Sequence, residues 1–251
     1  MDIRPRAAVF RLLRALGRKR APAVALALGA AVALLASCET PREERQSSAA
    51  AAPGPVAGGP EAPRSGPRVV VLGDSLTAGL GLEASEAYPA LLQQRIDERG
   101  WHFVVVNQGH SGDTTAGALS RLESALDGDV RVLVVALGGN DGLRGLPVEE
   151  TRRNLTAIVK RARSRDIAVL LAGMEAPPNY GEQYTTEFRQ TFRDVAREEG
   201  VAFVPFLLEG VAGDPALNQA DGIHPTAEGA GIVAGTIWSA LAPLLDAARA
   251  S

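Results

Sequence analysis

The 251-residue chain has a single cysteine, Cys38, and three histidines, His102, His110 and His224. One cysteine excludes an intramolecular disulfide framework. With no paired cysteines, no H-E-x-x-H and no two histidines close together, the sequence offers no ligand set for a zinc centre. A Walker phosphate loop is missing, and Gly79-Leu80-Gly81 suits a loop better than a dinucleotide cradle. No cofactor is expected. An excess of positive charge is also missing, since 26 Lys and Arg face 29 Asp and Glu for a formal net charge of −3. Nucleic acid, which selects clustered Lys and Arg, is therefore not expected as a partner. Repeats at solenoid periods are absent.

What remains is an alternation of short apolar runs with amphipathic segments. Strands are expected near Val69 to Leu72, Phe103 to Asn107, Val130 to Leu137, Ala168 to Gly173 and Ala202 to Pro205. Helices are expected near Tyr88 to Arg99, Thr115 to Leu126, Val148 to Ser164, Thr186 to Glu199 and Thr226 to Ala247. Parallel strands need crossover connections, so this alternation predicts an α/β fold with helices on both faces of a parallel sheet. The arginines in Arg152-Arg153, Lys160-Arg161 and Arg163 recur at helical spacing beside Glu149 and Glu150, the pattern of a solvated helix face.

Arg68 to Gly79 reads R-V-V-V-L-G-D-S-L-T-A-G, a buried strand breaking at Gly73 into a turn. Ser75 then sits at a strand's carboxyl end, where open α/β sheets bind ligands and where the following helix can aim free N–H groups at negative charge. A serine there can be a cap, a turn former or a nucleophile. Nucleophilic serine needs an imidazole within hydrogen-bond reach and a third group to orient the ring. His224 is the one histidine beside a suitable acid, in Asp221-Gly222-Ile223-His224-Pro225. Pro225 disfavours helix at His224, and Gly222 lets the loop turn so that Asp221 folds back toward Nδ1.

Acyl transfer also needs donors aimed at the oxyanion. Two segments after strands could supply them: Asn107 to Thr114, in which Gly112 allows close backbone approach, and Leu137 to Gly142, in which Asn140 offers an amide. Asp74 and Asp113 read as local hydrogen-bonding scaffold. Leu80, Leu82, Leu143, Leu146 and Tyr180 are candidates for an acyl wall or for core.

Four ordered blocks, Gly73-Asp74-Ser75-Leu76, Ser111-Gly112-Asp113-Thr114, Gly138-Gly139-Asn140-Asp141 and Asp221-Gly222-Ile223-His224-Pro225, resemble the SGNH hydrolase superfamily, also called the GDSL esterases and lipases. The resemblance spans about Val69 to Leu245. It implies a flavodoxin-like three-layer α/β/α sandwich with a five-stranded parallel sheet in the order 2-1-3-4-5. It further implies Ser75 as nucleophile, His224 as general base and acid, Asp221 as its orienting partner, and an oxyanion hole of the Ser75 and Gly112 N–H groups with the Asn140 side chain. Asn140 to Gly145 and Pro178-Asn179-Tyr180-Gly181 are similar to the periplasmic thioesterase, lysophospholipase and arylesterase subgroup. His110 and Glu175-Ala176-Pro177 fall in regions that vary among relatives and bear on the acyl pocket.

Ahead of this domain, Met1 to Arg20 is arginine-rich and Ala21 to Ala36 almost wholly apolar, too short for a spanning helix of ~20 residues but suited to a signal-peptide core. Leu35-Ala36-Ser37-Cys38 resembles the bacterial lipobox, which implies diacylation of Cys38. The expected organisation is a signal peptide over 1–37, a lipidated cysteine and disordered tether over 38–67, and a hydrolase domain over 68–251. A flexible tether of that length reaches roughly 30 Å. The chain is thus expected to be an exported, membrane-anchored lipoprotein facing the periplasm or cell surface. It is expected as a monomer that hydrolyses small-molecule or lipid esters such as aryl esters and lysophospholipids. Two alternatives stay open: a polysaccharide or peptidoglycan O-deacetylase using the same residues, and a non-catalytic surface lipoprotein.

Overall fold

Five apolar runs form five strands: β1 (Arg68–Gly73), β2 (Val104–Gly109), β3 (Val130–Ala136), β4 (Ala168–Ala172) and β5 (Ala202–Val204). The computed structural model describes residues 65–250. The expected signal peptide, Cys38 and the tether up to residue 64 lie outside the described residues. All pairings are parallel, and the sheet order is β2-β1-β3-β4-β5. Val70 faces Val106 on one side and Leu133 on the other, so β1 is paired along both edges. A strand covered on both faces and paired on both edges has no polar side to show. This is why Val69 to Leu72 is an unbroken apolar run rather than an alternating one.

The helices are α1 (Ser75–Ala78), α2 (Tyr88–Glu98), α3 (Thr115–Ser120), α4 (Leu122–Ala125), α5 (Gly139–Leu143), α6 (Val148–Arg163), α7 (Glu182–Glu199) and α8 (Ala227–Ala250), with one 3₁₀ turn at Pro178–Tyr180. Starting at β1, the chain passes to one side to make β2 and to the other to make β3, β4 and β5. Right-handed crossovers then place the connecting helices on opposite faces. One layer contains α2 packed on α8, and the other contains α3, α6 and α7. Among the described residues, α8 alone is long and apolar enough to cross a membrane by length and composition. Its Val233, Ala234, Ile237, Leu241 and Leu245 are buried within the domain core instead. Leu133 and Leu170 are fully buried in the sheet. Truncating either to alanine costs roughly 2–5 kcal/mol.

Against the sequence expectation, β2 is shifted to end at Gly109, α8 runs on to Ala250, and the short helices α1 and α5 are additional; two further departures come from tertiary contacts. The helix expected over 115–126 breaks at Arg121 (φ −105°, ψ 6°), which separates α3 from α4. The Arg121 guanidinium bonds to the carbonyls of Gly73 and Gln108 and to Asp113, and those contacts outweigh local helix propensity. Helix α7 begins at Glu182 rather than Thr186. Its added turn carries Tyr184, which stacks on Phe188 at 5.9 Å and donates its hydroxyl to Leu146 O at 2.8 Å. The basic face of α6 meets α7: Arg152 contacts Glu198 and Asp194, and Arg163 bonds to Glu199 O.

Strand β1 ends at Gly73 because nothing larger fits there. A Cβ at Gly73 would overlap the Thr77 side chain and stand 2.9 Å from Ala136 O. Thr77 cannot withdraw, since it is fully buried and its Oγ1 lies 2.6 Å from the Tyr88 hydroxyl. This close approach of α1 to the sheet brings the first turn of α1 down onto the carboxyl end of β1. That end lies between β2 and β3, where the chain changes direction across the sheet and an open crevice is left.

Candidate active site

Asp74 is the N-cap of α1, its Oδ1 accepting the Leu76 N–H at 3.0 Å. Capping leaves Ser75 as the first helical residue, whose N–H has no acceptor within the helix. Ser75 Oγ lies 2.8 Å from His224 Nε2, and His224 Nδ1 lies 2.6 Å from Asp221 Oδ2. The structure therefore brings Ser75, His224 and Asp221 into one hydrogen-bonded line. The other Asp221 oxygen, Oδ1, accepts the backbone N–H groups of Ile223 at 2.9 Å and His224 at 3.0 Å. These backbone and ring bonds, led by the His224 N–H, hold the Asp221 carboxyl well below the usual carboxylate range.

The loop that carries His224 is fastened at both ends. An antiparallel bridge joins Asn218 to Pro225, and Gln219 N donates to His224 O at 2.7 Å. The Gln219 side chain donates to Leu80 O at 2.7 Å and Pro225 O at 2.9 Å, which ties the histidine loop to the segment after α1. Asn218 anchors the same loop through Val211 O at 2.6 Å and Asp214 O at 2.8 Å.

Asn140, in α5, directs its amide to Asp113 O at 2.9 Å and stands 3.5 Å from Asp74 Oδ2. The amide is thus shared between the loop after β2 and the Asp74 carboxyl, and both Asn140 and Asp74 line the larger cavity beside Ser75. Gly112 takes the left-handed conformation (φ 86°), and its carbonyl accepts Arg144 Nη2 at 2.9 Å. Gly112 lines neither cavity at Ser75 and is joined to the site through its neighbour Asp113. Next to Asn140, Asp141 is buried and accepts the Thr115 N–H at 2.9 Å, the Thr115 hydroxyl at 2.5 Å and the Thr151 hydroxyl at 3.3 Å. Asp141 thereby joins α5 to the start of α3 and fixes Asn140 relative to the Gly112 loop. Burial pushes the Asp74 carboxyl up to about 6, against the opposing effects of the Leu76 N–H and the nearby His224.

Two cavities meet at the Ser75–His224 pair. The larger, of about 300 Å³, is lined chiefly by apolar side chains including Leu143, Met174, Ala176, Phe206 and Ile223. The smaller, of about 10 Å³, lies among Leu80, Leu82, Tyr88 and Val233 and admits no more than roughly one water or methyl group. Of the acyl-wall candidates, Leu80, Leu82 and Leu143 line these cavities. Leu146 and Tyr180 do not: Leu146 O accepts the Tyr184 hydroxyl, and the Tyr180 hydroxyl supports Leu143 O at 2.9 Å. Glu175, Ala176 and Pro177 line the larger cavity, whereas His110 lines neither and bonds through its N–H to Gly73 O. Gln219, Asp141, Arg144 and Arg121 were not singled out from sequence. Asp141 and Arg144 stand in the Asn140 to Gly145 run without a role of their own, and the acceptors of Gln219, Arg144 and Arg121 include backbone carbonyls, which leave no sequence signal.

A serine hydroxyl, an imidazole, a carboxylate and an amide side chain beside an apolar cavity form an arrangement suited to acyl transfer. Comparison with known proteins agrees. Residues 71–232 match the model of the GDSL-like Lipase/Acylhydrolase family. The chain is 44% identical to Esterase TesA of Pseudomonas aeruginosa over 178 residues, covering 70% of this chain and 89% of that protein. It is 36% identical to Thioesterase 1/protease 1/lysophospholipase L1 of Escherichia coli (strain K12) over 179 residues, covering 71% of this chain and 85% of that one. Among solved structures, a crystal structure of TesA superposes with a TM-score of 0.68 at 43% identity, covering 70% of this chain and 99% of that one.

Proposed function

The chain belongs to the GDSL-like Lipase/Acylhydrolase family and is a serine esterase, and from that premise we propose that Ser75 is its nucleophile, with His224 and Asp221 completing the triad. The observation that carries this assignment is the continuous line from Asp221 Oδ2 through His224 to Ser75 Oγ, with spacings of 2.6 and 2.8 Å, at the mouth of an apolar cavity. Ser75 Oγ attacks the ester carbonyl carbon as its proton passes to His224 Nε2. Asp221 accepts the Nδ1 proton in a hydrogen bond and stabilises the imidazolium. The carbonyl oxygen becomes an oxyanion held by the Ser75 and Gly112 N–H groups and by an Asn140 amide N–H that gives up its long 3.5 Å contact with Asp74 Oδ2. Collapse of the intermediate expels the alcohol, protonated by His224, and leaves an acyl-serine. Water, deprotonated by His224, then attacks the acyl carbon, and the acid departs as Ser75 regains its proton.

The substrate reading is a carboxylic ester with an apolar acyl chain, such as an aryl ester or lysophospholipid, with the chain in the 300 Å³ cavity. An apolar pocket of that size favours a medium chain over acetyl, and so favours an esterase of this kind over an O-deacetylase. Hydrolysis of p-nitrophenyl acetate, butyrate, octanoate and palmitate by the full chain, with Ser75→Ala as control, tests both points. Turnover lost in Ser75→Ala and greatest for butyrate or octanoate is expected. Undiminished turnover in folded Ser75→Ala removes the nucleophile assignment, and a strict acetyl preference turns the substrate reading to deacetylation.

We further propose that the enzyme is an exported lipoprotein, acting as a monomer and anchored through diacylated Cys38 on the periplasmic or cell-surface side of a membrane. Support comes from the apolar run Ala21 to Ala36, which leads into Leu35-Ala36-Ser37-Cys38. Two acyl chains hold a protein on a bilayer where a single chain binds only marginally. Incorporation of labelled palmitate by the expressed protein, lost in Cys38→Ser, is the expected result. Labelling that persists in Cys38→Ser, or its absence from the parent chain, removes the anchor.

A further inference from the structure

We infer that Arg121 is a positioning residue that sets the geometry of the oxyanion donors. Its guanidinium reaches three segments at once: Nε donates to Asp113 Oδ2 at 2.7 Å, and Nη2 donates to Gly73 O at 3.1 Å and Gln108 O at 2.9 Å. Gly73 and Gln108 stand at the carboxyl ends of the adjacent strands β1 and β2. Asp113 is in the loop that follows β2, and its own carbonyl holds Asn140 Nδ2 at 2.9 Å.

From this one group, each proposed donor is a step or two away. Gly73 precedes Ser75 by two residues, Asp113 directly follows Gly112, and Asn140 is bound to Asp113. The break between α3 and α4 falls at Arg121 itself, the residue whose side chain makes these contacts. A planar fork meets three acceptors from three segments in fixed directions, whereas a lysine's three donors rotate about a single nitrogen on a flexible stem.

The side chain is 17% exposed, and its Nη1 is buried with no hydrogen-bond partner among the described residues. Burying an N–H without an acceptor is costly. A residue retained only to fill space would avoid that cost. The guanidinium is therefore explained by the three contacts it does make, all of them on active-site segments.

This role presupposes that Ser75, Gly112 and Asn140 are the donors, as proposed above, so the test separates the two assignments. In the full chain, Arg121→Gln is expected to lower kcat by about 10²-fold while KM stays roughly constant, as expected for misplaced donors in a site that still binds substrate. Guanidinium added well below denaturing concentration is expected to restore part of the kcat of Arg121→Ala and none of that of Asn140→Ala. Asp113→Asn is expected to lower kcat in the same direction, and its loss is not expected to add to that of Arg121→Gln. Asp113→Asn alone carries the test if the Arg121 variants do not fold. Unchanged kcat in a folded variant, a loss confined to KM, or a kcat loss with neither guanidinium rescue nor coupling to Asp113 each overturns the positioning role. Normal kcat in Asn140→Ala removes the donor assignment itself.

Discussion

Asp221 contacts His224 twice: Oδ2 lies 2.6 Å from the ring Nδ1, and Oδ1 accepts the backbone N–H of the same histidine at 3.0 Å. One carboxylate therefore sets both the conformation of the loop and the tautomer of the ring. Asparagine can keep the oxygen that accepts from the backbone, but it then turns an amide N–H toward Nδ1. The ring must take the other tautomer, with Nε2 protonated and unable to accept from Ser75. Asp221→Asn is expected to lower kcat by about 10²–10⁴-fold with little change in thermal midpoint. Steady-state kinetics beside a melting curve check this, and a large fall in melting temperature with intact kcat contradicts it.

Asp74 gives the protein a pH-dependent stability term. Its carboxyl is raised from 3.8 to about 6 in the fold, chiefly by burial, so the native state holds that proton more tightly than the unfolded chain. The resulting contribution is fully present below about 3.8 and is lost as pH rises through about 6. Asp74→Asn keeps an oxygen to cap Leu76 N and has no charge to desolvate. Its stability relative to the parent is expected to increase between pH 4 and pH 7, by order ~1–3 kcal/mol. Urea midpoints across that range decide it: a difference between variant and parent that stays flat with pH counts against the buried charge.

Gly73→Ala is expected to be a folding defect rather than a chemical one. The new methyl overlaps Thr77, which is pinned by Tyr88, and crowds Ala136 O on β3. Overpacking of this kind costs about 1–3 kcal/mol or more. Chemical denaturation should show the loss, and kcat per folded, phosphonate-titrated site should change far less than stability.

Ala212 is exposed and lines the larger cavity, where a phenylalanine can project into acyl space without disturbing the core. Ala212→Phe is expected to lower the kcat/KM ratio of octanoate to acetate esters by about tenfold. An unchanged ratio would mean that the acyl chain lies elsewhere, for instance toward Leu80 and Leu82.

The parallel sheet was legible because buried strands must be apolar throughout, as Val69 to Leu72 and Val132 to Leu137 are. Ser75, Asn140, Asp221 and His224 could be singled out because each stands in a short run whose turn residues announce it. Arg121 and Gln219 could not. Gln219 reaches Leu80 O across 139 residues, and a backbone carbonyl is common to every residue, so nothing in the sequence marks it as a partner. The cavity wall was only half visible for a related reason. Phe206, Ala212 and Ile223 come from irregular segments, where no periodicity says which way a side chain turns.

Ser75 and His224 are separated by 149 residues, and the loop that holds His224 is fastened between β5 and α8, the last two regular elements of the chain. During synthesis Ser75 emerges well before the histidine it is hydrogen-bonded to in the finished fold. A chain cut short before residue 224 carries Ser75 without its imidazole partner. The proposed triad therefore joins the first strand's end to the last loop of the domain, and it is complete only when both ends of the fold are in place.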